Sequence, residues 1–121
     1  MAIENNQVGN NQSTSNPVIT VPTGKSYAIT TVLVTNTYSP NDANPETHNS
    51  TFDLYFVKNG EALANQVNCV VRQLTLPAGE TFTFDTEKIV LEAGDRIFCI
   101  ASPDIGSSLT DLAITVSYLE V

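Results

Sequence analysis

In the stretch TFDLYFV, apolar and polar side chains alternate, with Phe52, Leu54 and Phe56 on one side and Asp53, Tyr55 and Val57 on the other. A period of two belongs to a β-strand whose two faces meet different surroundings. The same character marks YAITTVLVTN (27–36), which is rich in β-branched residues, and the C-terminal run, where Leu112, Ile114, Val116 and Tyr118 share a face. PVITV (17–21), QVNCVVRQLTL (66–76), TFTFDT (81–86), KIVL (88–91) and DRIFCIAS (95–102) read as further strands. No segment keeps a helical period over three turns, and GEALANQ (60–66) is the one stretch suited to a short helical turn. About eight strands separated by turns predict an all-β, antiparallel β-sandwich, jelly-roll or immunoglobulin-like in topology, with an extended N-terminal arm.

One phrase occurs three times: VPTGKSYAIT, LPAGETFTFD and LEAGDRIFCI. Each places a glycine (Gly24, Gly79, Gly94) before a charged residue and a new strand. Glycine takes positive φ without steric cost, and Pro22 and Pro77 pre-set φ earlier in two of the turns. The uneven spacing of the copies excludes a solenoid or propeller of fixed period. Asn59-Gly60 adds a fourth turn, expected as a two-residue type I′ hairpin.

Two polar stretches stand apart. Residues 1–16 are rich in Asn, Gln and Ser, with Ile3 and Val8 as the sizeable aliphatic residues after Met1. Such an arm buries too little apolar surface to order itself alone, so a neighbouring subunit is expected to hold it through Ile3 and Val8. The run TYSPNDANPETHNS (37–50) is long for a loop in a compact domain and is the leading candidate for recognition, through Tyr38, Asn41, Asp42, Asn44 and His48.

A chain of 121 residues suits one domain, here 17–121 behind the arm. Its 41% hydrophobic and 15% charged content marks a globular protein rather than a disordered one. The net charge of -8 argues against nucleic acid and against an anionic membrane, both of which select Lys and Arg. The first residues carry no secretory pattern, so folding in a cytoplasm is the expectation. That in turn favours free thiols at Cys69 and Cys99 over a disulfide and leaves the acceptor patterns at Asn11 and Asn49 unused.

Candidate chemistry is sparse. His48 is the single histidine, it lies in the polar loop, and Ser107 sits in no nucleophile turn. Cys69, Cys99 and His48 are too scattered for a zinc site, and Asp85 with Glu87 or Glu92 with Asp95 form no calcium loop. No phosphate-binding glycine loop opens a helix, and a chain without tryptophan is poorly equipped to stack sugars. No catalytic, cofactor or metal residue is therefore assigned, and an enzyme is the weakest class.

Together, VPTGKSYAITTVLVTNT, TFDLYFVKNGEALAN, LTLPAGETFTFDTEKIVLEAGDRIFCIAS and LAITVSYLEV resemble the small β-sandwich virion structural proteins of tailed bacteriophages, over Pro17 to Val121. The third is the most specific of these, and the long insertion between Asn36 and Thr51 departs from the group. The resemblance implies a capsid decoration, or cement, protein. It would have no cofactor, would be made in the host cytoplasm and incorporated into the virion as a homo-oligomer, commonly a trimer, and would contact the major capsid protein or other virion proteins. The alternatives are a receptor- or glycan-binding fibre or tail-tip module and a neck or tail adaptor.

Overall fold

The structure is a computed structural model that describes residues 2–8, 17–38, 49–64, 66–103 and 112–121, with side chains except at 2, 4–8, 86–88, 102 and 103. It contains β1 (Ala2–Val8), β2 (Ile19–Thr20), β3 (Tyr27–Asn36), β4 (Ser50–Val57), β5 (Cys69–Leu76), β6 (Thr81–Leu91), β7 (Arg96–Pro103) and β8 (Leu112–Glu120). They form two four-stranded antiparallel sheets, ordered β1-β8-β3-β6 and β2-β7-β4-β5. The pairs β1–β8, β2–β7, β3–β6 and β4–β5 nest as in one long hairpin, and alternate pairs fall in opposite sheets. A long hairpin rolled up in this way is a jelly roll, which decides between the two sandwich topologies left open by the sequence.

The inward faces follow from the period of two. Leu112, Ile114 and Val116 on β8 and Ile29, Val32 and Val34 on β3 are buried against Phe52 and Leu54 on β4 and Ile97, Cys99 and Ala101 on β7. Each fully buried aliphatic or aromatic side chain of this kind contributes roughly 1.5–3 kcal/mol. At the open side of the sandwich, Phe52 meets Phe82 at 5.6 Å and Phe56 meets Phe84 edge-on at 5.9 Å, so aromatic rings close the gap between β4 and β6. Val57, Tyr55 and Phe98 form a smaller cluster on the outer side of the second sheet, against Leu63, Cys69 and Ile100.

Several expectations change in three dimensions. TFTFDT and KIVL are one strand, β6, whose pairing with β3 jumps from Asp85 opposite Thr31 to Ile89 opposite Ile29. The polar residues between them form an irregularity within the strand rather than a break. GEALANQ, expected at most as a short turn, forms one at its end, with no helix among the described residues: Val67 and Asn68 both donate their N–H groups to the Ala64 carbonyl, and 66–68 is a turn. Asn59-Gly60 is not a two-residue hairpin, because β5 begins only at Cys69. Gly60 has φ +85° while Asn59 is not in the positive region, so the turn has one left-handed position instead of the two that type I′ requires.

Gly60 thus makes the same turn as the three glycines of the repeated phrase, without a strand directly after it. Lys25, Glu61, Glu80 and Asp95 each donate an N–H to the carbonyl three residues back, and the glycine just before each has φ between +80° and +86°. Positive φ at the third residue of a four-residue turn is the type II signature, and glycine is the residue that adopts it without strain.

The arm needs no neighbour to form a strand. Ala2–Val8 lies antiparallel along β8 of the same chain, from Ala2 opposite Tyr118 to Val8 opposite Leu112. Main-chain hydrogen bonds to a sheet edge replace the apolar burial that the arm lacks. Ile3 is 59% exposed and is no buried anchor here, since its partner Ser117 belongs to the outward-facing positions of β8. Of Val8, only its backbone position is described.

Candidate functional site

The predicted recognition residues Asn41, Asp42, Asn44 and His48 lie outside the described residues. Tyr38 is described, and its N–H donates to Asn36 Oδ1 at 3.0 Å. Asn36 is fully buried at the end of β3, and its Nδ2 donates to the Leu76 carbonyl at 3.0 Å. Its backbone accepts from Gly79 and donates to Glu80, both at 3.0 Å. One asparagine thus joins the root of the 37–50 loop to the β5–β6 turn. A polar residue closing a β-branched strand was its only signal in the sequence.

The opposite end is locked by the turns. Asp95 Oδ1 accepts the Asn59 N–H and Oδ2 the Glu92 N–H, each at 2.8 Å. Gly94 donates to the Val21 carbonyl at 2.9 Å, and Val21 donates to the Asp95 carbonyl at 3.0 Å. The Arg96 guanidinium donates to the carbonyls of Lys58 at 3.2 Å and Glu61 at 2.6 Å. Three of the four glycine turns therefore meet at one end, and Gly79 lies with Asn36 at the other.

A third polar group sits on the outer side of the second sheet. Asp53 Oδ2 accepts from Arg72 at 2.8 Å and from the Tyr55 hydroxyl at 3.3 Å, while Oδ1 accepts the Gln73 N–H at 2.6 Å. Gln73 has φ +49°, an unusual conformation for a non-glycine residue, at an irregularity in the β4–β5 pairing. Burial and then the nearby Asp53 carboxylate push the Tyr55 phenol and the Cys69 thiol up, so both resist ionisation. The Cys69 S–H donates to the Val71 carbonyl at 3.1 Å. These groups satisfy one another and hold β5 to β4 rather than presenting a nucleophile.

Cys69 and Cys99 are free thiols. Cys99 stands opposite Leu54 and faces the core, whereas Cys69 stands opposite Tyr55 and packs on the outer cluster. With β4 between them they are two strand spacings apart, about 9.6 Å, beyond the roughly 7 Å that a disulfide spans.

Among the described residues, no three His, Cys, Asp or Glu side chains gather to hold a metal ion. A cleft of about 190 Å³ lies between Phe56, Val57 and Lys58 and the end of β6, Ile89 to Leu91, with Asp95 at its margin. It is smaller than the roughly 300 Å³ at which small-molecule pockets begin. A wider depression of about 450 Å³ lies over Phe98 and Leu63, but its guanidinium, Arg96, is already committed to two backbone carbonyls.

The outer face of the first sheet is different in kind. Its rows run Leu119–Ala28–Val90, Ser117–Thr31–Asp85 with Ile3 alongside, Thr115–Leu33–Thr83 and Ala113–Thr35–Thr81. Asp85 is its one charge among the described side chains. The remaining described charges lie on turns, at the end of β8 beside Lys25, or on the other sheet. Comparison with protein-family models, with curated proteins and with solved structures found no match to this chain.

Proposed function

We propose that this chain is a non-enzymatic structural protein of a bacteriophage virion, a capsid decoration protein that stabilises the shell through subunit contacts. The observation that carries this reading is the arm. A polar strand, held on the edge of the β1-β8-β3-β6 sheet by backbone pairing, extends a jelly-roll block and can be exchanged for the same strand of another copy without altering a single contact type. The homo-oligomer, a trimer by the resemblance, would form by passing this arm to a neighbour. The jelly-roll order, an architecture of viral capsid domains, supports the reading at the level of fold, which it shares with lectin domains.

Co-sedimentation with empty capsids that lack the protein tests it. The full chain should pellet with the shells at saturable stoichiometry, and a chain lacking residues 1–16 should bind them more weakly. Failure of the folded full chain to bind shells, together with binding to host-surface glycans, would replace the capsid role with the receptor-binding one.

A further inference from the structure

We propose that the outer face of the β1-β8-β3-β6 sheet is where two copies of this chain pack against each other, related by a two-fold axis. The contact rests on the virion reading only in that both require copies to associate. With a net charge of -8, copies repel over most of their surface. This face is the exception, since among its described side chains only Asp85 is charged. The centre of the face is Thr31, Leu33, Thr83 and Ser117, with Thr81 toward one end. A hydroxyl both donates and accepts, so rows of Thr and Ser complement their own copy after a half-turn, as a two-fold contact requires. At the other end Val90 and Leu119 are 49% and 40% exposed and add apolar area.

The size is sufficient. Four strands at about 4.8 Å spacing and a length of about 30 Å, that of β8, give nearly 600 Å² per copy, so a face-to-face pair buries more than the roughly 1,000 Å² that a specific interface needs. A basic partner would be drawn to the acidic turns instead. A second copy is the partner for which the scarcity of charge among the described side chains of this face, Asp85 alone, is an advantage.

Sedimentation equilibrium of the full chain tests the contact, with Leu33→Glu and Thr83→Glu on the face and Val70→Glu as a control on the other sheet. The wild-type chain should show a pairing step, monomer to dimer or arm-exchanged trimer to hexamer, that tightens as salt is raised, because screening weakens the residual repulsion. Both face variants should weaken this step by about a hundredfold, as like charges brought together across a dry contact do, while Val70→Glu leaves it within about twofold. Thr83 is exposed, so its substitution is compatible with folding, which far-UV circular dichroism checks. An equimolar mixture of Thr83→Glu and Thr83→Lys copies should recover association.

A wild type that stays a monomer or a trimer, a pairing step weakened by salt or indifferent to the face variants, or a mixture of folded variants that does not pair would each overturn the contact. A monomer that still pellets with capsids would overturn this contact and leave the capsid role. A dimer broken by the face variants that ignores capsids would do the reverse.

Discussion

Gly94 lies against the carboxamide of Asn59, so a β-carbon at position 94 would overlap the Asn59 side chain. Gly24, in the same kind of turn at φ +81°, has nothing within 4 Å of the equivalent position. The two glycines separate backbone strain from steric conflict. Gly24→Ala should cost about 1 kcal/mol from strain alone, and Gly94→Ala about 2–3 kcal/mol, with strain and displacement of Asn59 combined. Urea denaturation of the two variants checks the order, and equal midpoints would show that Asn59 yields freely.

Asn36 is the buried joint between the loop root and the β5–β6 turn. Asn36→Ala removes the donor to Leu76 and the acceptor for Tyr38, leaving both backbone groups without those bonds. The expected loss is about 1–3 kcal/mol, since the buried Leu76 carbonyl loses this donor and a buried polar group left unpaired costs its full desolvation. A fall in denaturation midpoint without a change in slope is the expected result. A loss below about 0.5 kcal/mol would mean that water enters this end of the sandwich.

Gln73 holds a left-handed backbone because Asp53 captures its N–H. Gln73→Gly relieves that strain and should be neutral or stabilising by up to about 1 kcal/mol, despite the added freedom of the unfolded chain. Asp53→Ala removes the acceptor of three groups and should cost about 1–3 kcal/mol. Thermal unfolding of the two single variants and the double distinguishes them. A stabilised Asp53→Ala would show that the cluster serves binding rather than folding.

Cys99 gives a signed dependence on pH. Burial, with a smaller contribution from Asp53, pushes its thiol from 9.0 up to about 12. Above pH 9 the unfolded chain loses this proton while the folded chain keeps it, so stability is full below 9 and falls as pH rises toward 12, by about 1.4 kcal/mol per unit from this group. Tyr55 and Cys69, also pushed up, act in the same direction. Cys99→Ala should lower stability near neutrality but flatten the alkaline decline, which stability curves at pH 7 and pH 10.5 would reveal. In the native wild type, a disulfide reagent at pH 8 should find Cys99 unreactive until unfolding, because almost no thiolate is present.

The strands were legible because burial on one face writes a period of two directly into the chain: Phe52, Leu54 and Phe56, or Leu112, Ile114 and Val116, need no tertiary information to be grouped. The turn glycines were legible for an equally local reason, the cost of positive φ for other residues. Strand order was not, since the same inward-facing positions satisfy a jelly roll and an immunoglobulin-like sandwich; the nested pairing from β1–β8 to β4–β5 had to be seen. The same holds for Asn36, Asp53 and Asp95, whose partners lie 19 to 40 residues away in several cases and whose polar character suits an exposed loop equally well. The placement of the arm on β8 and the separation of Cys69 from Cys99 by a strand follow from long-range pairing. Local propensity is a property of neighbours along the chain, whereas pairing between distant segments depends on how every other strand is packed.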